Sequence, residues 1–365
     1  MKHDVKAVSR MFDIYGDFVG AVPYGTGHIN DTYQAAYNQS GTLVHYTFQR
    51  INSNVFKNPP ALMENISRVT THIYRKIKDQ KQEASRRTLR LVKAFDGKSY
   101  VIDADGNYWR AYLFVEKART YDVLETIDQA FQAARSFAEF QMDLVDLPGE
   151  RLNETIPDFH NTPKRIANLE AAIKADKMGR VKEVSKEIDF VMKRKEEAGL
   201  LIDLQNKGEI PERITHNDTK LNNVLIDDAT GEGVCVIDLD TVMPGLAHYD
   251  FGDMVRTGTS PAMEDEKDLS KVCMRFEMFE ALLRGYVSNA GKFLNPVELN
   301  LLPFSGKLIT LEIGTRFLTD YLEGDVYFKI HRPEHNLDRC RTQFKLVESI
   351  ENQMDRMMAL LNSLK

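Results

Sequence analysis

The feature that most constrains this chain lies between residues 214 and 240. It reads His216-x-Asp218, then Asn223 five residues later, then two short apolar runs, VLI and VCVI, ending on Asp238. The turn between the runs, Asp228-Ala229-Thr230-Gly231-Glu232-Gly233, is rich in residues that close a hairpin. A hairpin symmetric about Thr230 and Gly231 pairs residues whose numbers sum to 461, so that 223 faces 238. That register sets the Asn223 amide oxygen and the Asp238 carboxylate side by side, with Asp218 in the loop just before. Two oxygen ligands and a nearby carboxylate suit a hard cation such as Mg²⁺, which takes its other ligands from water and phosphates. Phosphoryl transfer needs this layout: a loop Asp to accept the proton of an attacking hydroxyl, with Asn and a second Asp to hold the metal. A polar loop entering an ordinary hairpin is the plainer alternative, but the full ordered pattern is long for a coincidence.

At these residues the chain resembles the aminoglycoside phosphotransferase and choline kinase family, whose core is protein-kinase-like. The blocks THNDTK, VIDLDTVMPG, HYDFGD and GHINDTY bring it closest to the N-acetylhexosamine 1-kinases of that family. The resemblance implies an α+β, bilobal fold, with a sheet-rich N-lobe over residues 1–114 and a helical C-lobe over 115–365. ATP and Mg²⁺ are expected between the lobes. It also implies transfer of phosphate to the anomeric hydroxyl of an N-acetylhexosamine, giving the 1-phosphate. Another small hydroxyl acceptor, an amino alcohol or an aminoglycoside, is the alternative within the class. A nucleotide-binding pseudokinase would be expected to lack Asp218, Asn223 or Asp238, and all three are present.

Upstream, Gly25 and Gly27 stand one residue apart before a strand, as a loop covering phosphates requires, although G-x-G is common in turns. The strand LVHYTFQRIN then lacks the Lys that kinases of this shape usually place there; Gln49 and Arg50 occupy the position. Arg50, the strand's one cation, is taken as the phosphate-side residue. Glu64, in the helix after Pro59-Pro60, lies where a pairing acid is expected or is simply a solvated carboxylate. Phe114, Val115 and Glu116 fall at the hinge implied by the resemblance, where backbone groups would meet adenine. The preceding SYVIDADGNYWRAYLFVE is a hairpin by its alternation and its Asp105-Gly106 turn, and Trp109 and Tyr112 are expected to pack in it. Residues 1–20 read as a helical opening.

Downstream, Asp250-Phe251-Gly252 invites the label of a metal-binding DFG, but the hairpin argument gives the metal to Asp238. The resemblance makes His216, Asp250 and Asp253 supports of the catalytic loop, with Arg256 as a partner. Residues after 264 are mostly helical and end in a stripe of Phe344, Val347, Ile350, Met354, Met357 and Leu361. In GTRFLTDYLEGDVYFK the resemblance brings Arg316 and Tyr327 to the acceptor, with His28 reaching it from the glycine loop. The competing reading pairs Arg316 with Asp320 one turn on and buries Tyr327. Thr257 stands where some relatives carry a bulky aromatic.

Composition narrows the partners. A net charge of −6 with no basic stripe argues against nucleic acid, and no apolar run reaches a membrane span. Three separated cysteines suit a reducing, cytoplasmic setting and cannot make a four-Cys zinc site. A small-molecule sugar is the expected partner.

Overall fold

The structure, a computed structural model, describes residues 3–25, 29–79, 84–121 and 126–364. Gly27 and His28 lie outside these residues. In chain order the elements begin with α1 (Val5–Ser9), β1 (Asp17–Pro23), β2 (Asp31–Gln39), β3 (Thr42–Arg50), α2 (Pro59–Asp79) and α3 (Ala84–Arg87). Four strands follow: β4 (Arg90–Leu91), β5 (Val101–Ile102), β6 (Tyr108–Leu113) and β7 (Ala118–Arg119). Then come α4 (Ile127–Leu144), α5 (Thr162–Ala175), α6 (Ser185–Met192), α7 (Leu200–Asn206), β8 (Arg213–Thr215), β9 (Val224–Asp227), β10 (Gly233–Val236) and β11 (Met243–Gly245). The chain ends in α8 (Ala247–Gly258), α9 (Phe276–Ala290), α10 (Pro296–Asn300), α11 (Leu302–Glu323), α12 (His335–Glu351) and α13 (Met354–Ser363). Among the described residues no helix is long and apolar enough to cross a membrane.

The chain divides into two compact units. One comprises Met1–Arg119, Asp146–Ile156 and Leu225–Met243; the other comprises Thr120–Val145, Pro157–Val224 and Pro244–Lys365.

The first unit is built on an antiparallel sheet ordered β1-β2-β3-β6-β4, with β5 also paired to β6. Strand periodicity sends Tyr33, Ala35, Tyr37, Phe48, Trp109 and Ala111 to one face, where Val5 and Val8 of α1 and Phe12 cover them. Burying Phe48 and Phe12 contributes about 1.5–3 kcal/mol each. The expected helical opening is helical only over α1. From Asp17 the chain is a strand, because Phe18 and Ala21 join this core while Val19 and Val22 stay exposed. The β5–β6 hairpin forms as read, and Asp103 closes it by accepting the N–H groups of Asp105, Asn107 and the Trp109 indole. In α2, Leu62, Ile66, Val69 and Ile73 are buried at their helical spacing, whereas the Glu64 side chain is 59% exposed beside Arg68.

The second unit is helical. Its long α11 packs on α5, α8 and α12, and α4 packs on α9. At the crossing of α8 and α11 both helices present glycine: a Cβ on Gly252 would stand 2.5 Å from the Ser305 carbonyl oxygen, and one on Gly306 would stand 2.7 Å from Val255. The C-terminal stripe is split into α12 and α13, but Phe344, Val347, Ile350, Met357 and Leu361 are all buried.

Candidate active site

In the second unit, the loop after β8 is held by its backbone. Asp250, fully buried near the start of α8, accepts the N–H of His216 (2.9 Å) and of Asn217 (2.7 Å) and the Gln141 side chain (2.5 Å). Thr219 donates in turn to the Asp250 carbonyl at 2.6 Å. Asn217 takes a left-handed φ of 64°, which an Asn tolerates better than most residues. Its side chain is closed onto Thr215. Gly245 packs against this knot, for a Cβ there would collide with Thr215 Oγ1 and come within 3.0 Å of Asn217 Oδ1. The His216 ring lies edge-on to Phe137 and Phe140 of α4.

A second buried pair grips the same loop from behind. His160 Nε2 lies 3.0 Å from the Asn217 carbonyl oxygen, which can only accept, so that nitrogen carries a proton. Its Nδ1 is 2.9 Å from Glu312, whose other oxygen takes the Thr162 hydroxyl at 2.7 Å. Burial alone would strip the proton from His160, but Glu312 and the Asn217 carbonyl outweigh it and lift the pKa above its ordinary value. Glu312 is likewise resisted by burial and brought below its ordinary value by His160. The pair is therefore an imidazolium and a carboxylate.

The loop presents Asp218, whose side chain is 25% exposed, with Lys220 Nζ 3.1 Å away. Burial would raise the Asp218 carboxyl; Lys220, His216 and Arg256 overcome it and hold it below the usual carboxylate range. Lys220 is pushed up to about 12 by Asp218. Asn223 donates to the Asp218 carbonyl at 2.8 Å through its amide nitrogen. Asp253 pairs with Arg256 at 2.7 Å, and its Oδ2 is buried without a hydrogen bond among the described residues. Thr257 donates to the Asp253 carbonyl.

Arg316 and Tyr327 come together. The guanidinium donates to the Tyr327 hydroxyl at 3.4 Å and lies 5.3–5.8 Å from the ring centres of Phe159, Tyr327 and Phe328. Asp320 does not pair with Arg316. Its carboxylate accepts the backbone N–H groups of Val326, Tyr327 and Phe328 and the amide of Asn336, which holds the Tyr327 loop while Tyr327 stays 62% exposed. Arg165 lies close enough to Arg316 for that second cation, after burial, to lower its pKa.

In the first unit the hairpin register differs from the expected one. The Asp227 N–H bonds the Glu232 carbonyl at 2.8 Å, a pairing sum of 459 rather than 461. The loop is the four residues 228–231, closed because Asp227 Oδ1 accepts the N–H of both Ala229 and Thr230. Asp238 therefore lies two residues past the end of β10, exposed and with a left-handed φ of 57°. Asp240, two residues on, is buried: it accepts from Arg110 of β6 and from Asn30.

The other expected nucleotide residues are also in this unit. Gly25 has a φ of +79° and open space around it. The preceding Tyr24 meets Phe114 edge-on at 5.3 Å. Val115 is buried, and Glu116 pairs with His45 at 2.6 Å while its carbonyl accepts from Arg86. Arg50 requires a correction. It is tied to Asp31 at 2.6 Å on the face that α1 covers, whereas Gln49 is on the other face, where β3 carries no Lys or Arg.

The profile of the phosphotransferase enzyme family matches residues 21–268. The chain belongs to this family. Among solved structures, this phosphotransferase is similar to an aminoglycoside phosphotransferase from Alicyclobacillus acidocaldarius (13% identity, TM-score 0.61, 98% of this chain and 95% of that one). It is also similar to a choline kinase from Cryptosporidium parvum (14%, TM-score 0.51, 98% of each chain) and to the GDP complex of an aminoglycoside 2'-phosphotransferase-IIIa (15%, TM-score 0.51, 95% and 94%). At such identities the likeness carries the fold, which is protein-kinase-like, with a sheet-rich N-terminal region and a helical C-terminal region. The family match ends at Asp268, so Glu312, Arg316 and Tyr327 of the phosphotransferase lie beyond it. Lys220 was visible in the motif, two residues after Asp218, and its pairing was not read. Arg110, His160 and Glu312 carried no local signal, since each meets its partner across more than a hundred residues of chain.

Proposed function

We propose that this phosphotransferase is an ATP- and Mg²⁺-dependent small-molecule kinase that phosphorylates the anomeric hydroxyl of an N-acetylhexosamine. The observation that carries the reading is Asp218, a carboxylate kept ionised by Lys220 on a loop whose backbone is pinned by Asp250 and His160. Asp218 accepts a hydrogen bond from the attacking hydroxyl and receives its proton as the new O–P bond forms. Because its pKa is low, the transfer comes late, as a loose phosphoryl transition state allows.

Asn223 and Asp238 would hold the metal. Both hydrogen bonds found for the Asn223 amide are made by its nitrogen, which leaves the oxygen for a ligand, and the Asp238 carboxylate is exposed. An amide oxygen and a carboxylate are a donor set that fits a hard cation completed by water and phosphate oxygens. When bound, the metal would neutralise charge on the phosphates. Gly25 and the 114–116 backbone would meet the nucleotide, with residues 1–114 as the nucleotide lobe and 115–365 as the acceptor lobe.

The acceptor reading rests on charge. Arg316 and Arg165 repel each other, with Glu312 and Asp158 partly offsetting them, so a cationic aminoglycoside or amino alcohol would have to approach two guanidinium groups. A neutral sugar with an acetamido oxygen instead supplies the acceptors that a guanidinium and a Tyr hydroxyl can match. His216, Asp250 and Asp253 act through the loop rather than on substrate.

The test is ADP release over N-acetylhexosamines, aminoglycosides and amino alcohols, with phosphorus NMR to locate the ester. Turnover on amines and none on sugars would replace the acceptor. Asp218→Asn should lower turnover by about 10²–10⁴-fold with nucleotide affinity retained; near-normal turnover would remove Asp218 from its role.

A further inference from the structure

The first unit leaves one question of charge open, because β3 gives the phosphate side Gln49 rather than a cation. The side chains beside Gln49 form a lateral row across the sheet. Thr32 of β2, Gln49 of β3 and Arg110 of β6 are register partners in turn. They are joined side chain to side chain: Gln49 Nε2 donates to Thr32 Oγ1 at 3.1 Å, and Arg110 Nε donates to Gln49 Oε1 at 2.9 Å. The guanidinium thus lies against the head of Gln49, although its stem starts one strand away. Adjacent strands are about 4.8 Å apart, a gap that an arginine stem spans easily.

Beyond Gln49 the guanidinium meets Asp240, and Asp240 also takes the amide of Asn30, five residues past Gly25. Asn30 in turn accepts the Asn52 N–H. Asp238 is near enough to act on Arg110 electrostatically. One buried cation therefore stands among the end of the glycine-loop segment, the β3 position that lacks its lysine, and the strand exit that carries Asp238. A lysine would be a point charge there, whereas the arginine fork can hold Gln49 and Asp240 together and keep its plane fixed.

We propose that Arg110 of β6 is the residue that meets the nucleotide's phosphates in place of a β3 lysine, with Asp240 as the acid that positions it. The proposal rests on the kinase reading above. Arg110 is the phosphate-binding residue, and Asp240 and Gln49 are positioning residues.

The experiment is calorimetric titration of adenosine, ADP and ATP, with Mg²⁺, into wild type and the charge-neutral Arg110→Gln/Asp240→Asn variant. Wild type should bind ADP and ATP well above adenosine. The variant should bind adenosine unchanged and lose about ten- to hundredfold for ADP and ATP, the scale of a charge-assisted contact. Adding Gln49→Lys to it should restore much of that loss. If adenosine, ADP and ATP weaken in step, or none weakens, Arg110 is a strut that never meets phosphate and the proposal is overturned. If wild type binds ATP no better than adenosine, the kinase reading fails with it, which separates the two failures. Should the polar variant not fold, Arg110→Met/Asp240→Leu carries the same comparison, since apolar pairs of similar volume usually replace buried ion pairs without loss of stability.

Discussion

Each compact unit buries an ion pair behind residues of the proposed site, and the two pairs differ in whether they can be discharged. Arg110 and Asp240 tie the sheet of the first unit to the strand exit at Asp238, and arginine keeps its charge at any pH a protein survives. His160 and Glu312 hold the Asn217 carbonyl in the second unit, and histidine can give its proton up. The guanidinium in the first unit thus stays charged, while the loop that carries Asp218 depends on a titrating group. The cation of the first pair cannot lose its proton as pH rises, and the cation of the second can.

The largest expected difference comes from removing each acid. Asp240→Ala leaves a guanidinium buried and unpaired and should destabilise by about 3–5 kcal/mol. Glu312→Ala should cost only about 1–3 kcal/mol, because His160 can become neutral and keep its bond to Asn217. Urea unfolding at pH 7 measures both, and equal losses would erase the distinction.

A smaller effect is expected in the pH dependence. The folded pKa of His160 is raised, so its contribution is complete below 6.5 and is lost as pH rises through the folded value. That of Glu312 is lowered, so its contribution is complete above 4.5 and is lost as pH falls through the folded value. The pair is therefore fully effective between 4.5 and 6.5 and declines on the alkaline side. The charged and titratable groups around it, Arg316, Asp253 and Tyr249, shift that decline without reversing it. Unfolding free energies should fall from pH 6 to 9 in wild type and stay flatter in His160→Gln. The same slope in both proteins would take His160 out of the account.

The smallest effect is steric and falls on the loop alone. Gly245→Ala pushes a methyl group onto Thr215 and Asn217 and should cost about 1–2 kcal/mol, with a fall in kcat and no change in ADP affinity. If ADP affinity fell as far as kcat, the loop could not be separated from the nucleotide side in this way.

Local chemistry was legible in the sequence, and long-range chemistry was not. The H-x-D-x4-N loop, the β5–β6 hairpin and the buried stripe of α2 all follow from spacing within about a dozen residues, whereas the meeting of Arg316 with Tyr327 came from the family resemblance. The hairpin register failed for a local reason: Asp227 folds its carboxylate over two backbone N–H groups and closes the loop over residues 228–231, so its centre is not at Thr230 and Gly231. Arg50 was chosen as the cation in β3, and only the sheet order, which places β6 beside β3, brings Arg110 forward. His160 and Glu312 are 152 residues apart, and no periodicity links a loop to the middle of a helix. The competing pairing of Arg316 with Asp320, suggested by their shared helix, is lost because three backbone N–H groups of the following loop take the Asp320 carboxylate.

The glycines where α8 crosses α11 bear on how such a protein can change. Gly252 and Gly306 let the two helices touch backbone to side chain with no flexible buffer, and α8 carries Asp250 while α11 carries Glu312, Arg316 and Asp320. A mutation that rotated α11 to admit a different acceptor would drag the support of the Asp218 loop along with it. On the proposed acceptor site, new preferences would arise most easily at exposed tips such as Tyr327 and least easily in the helices that hold those tips.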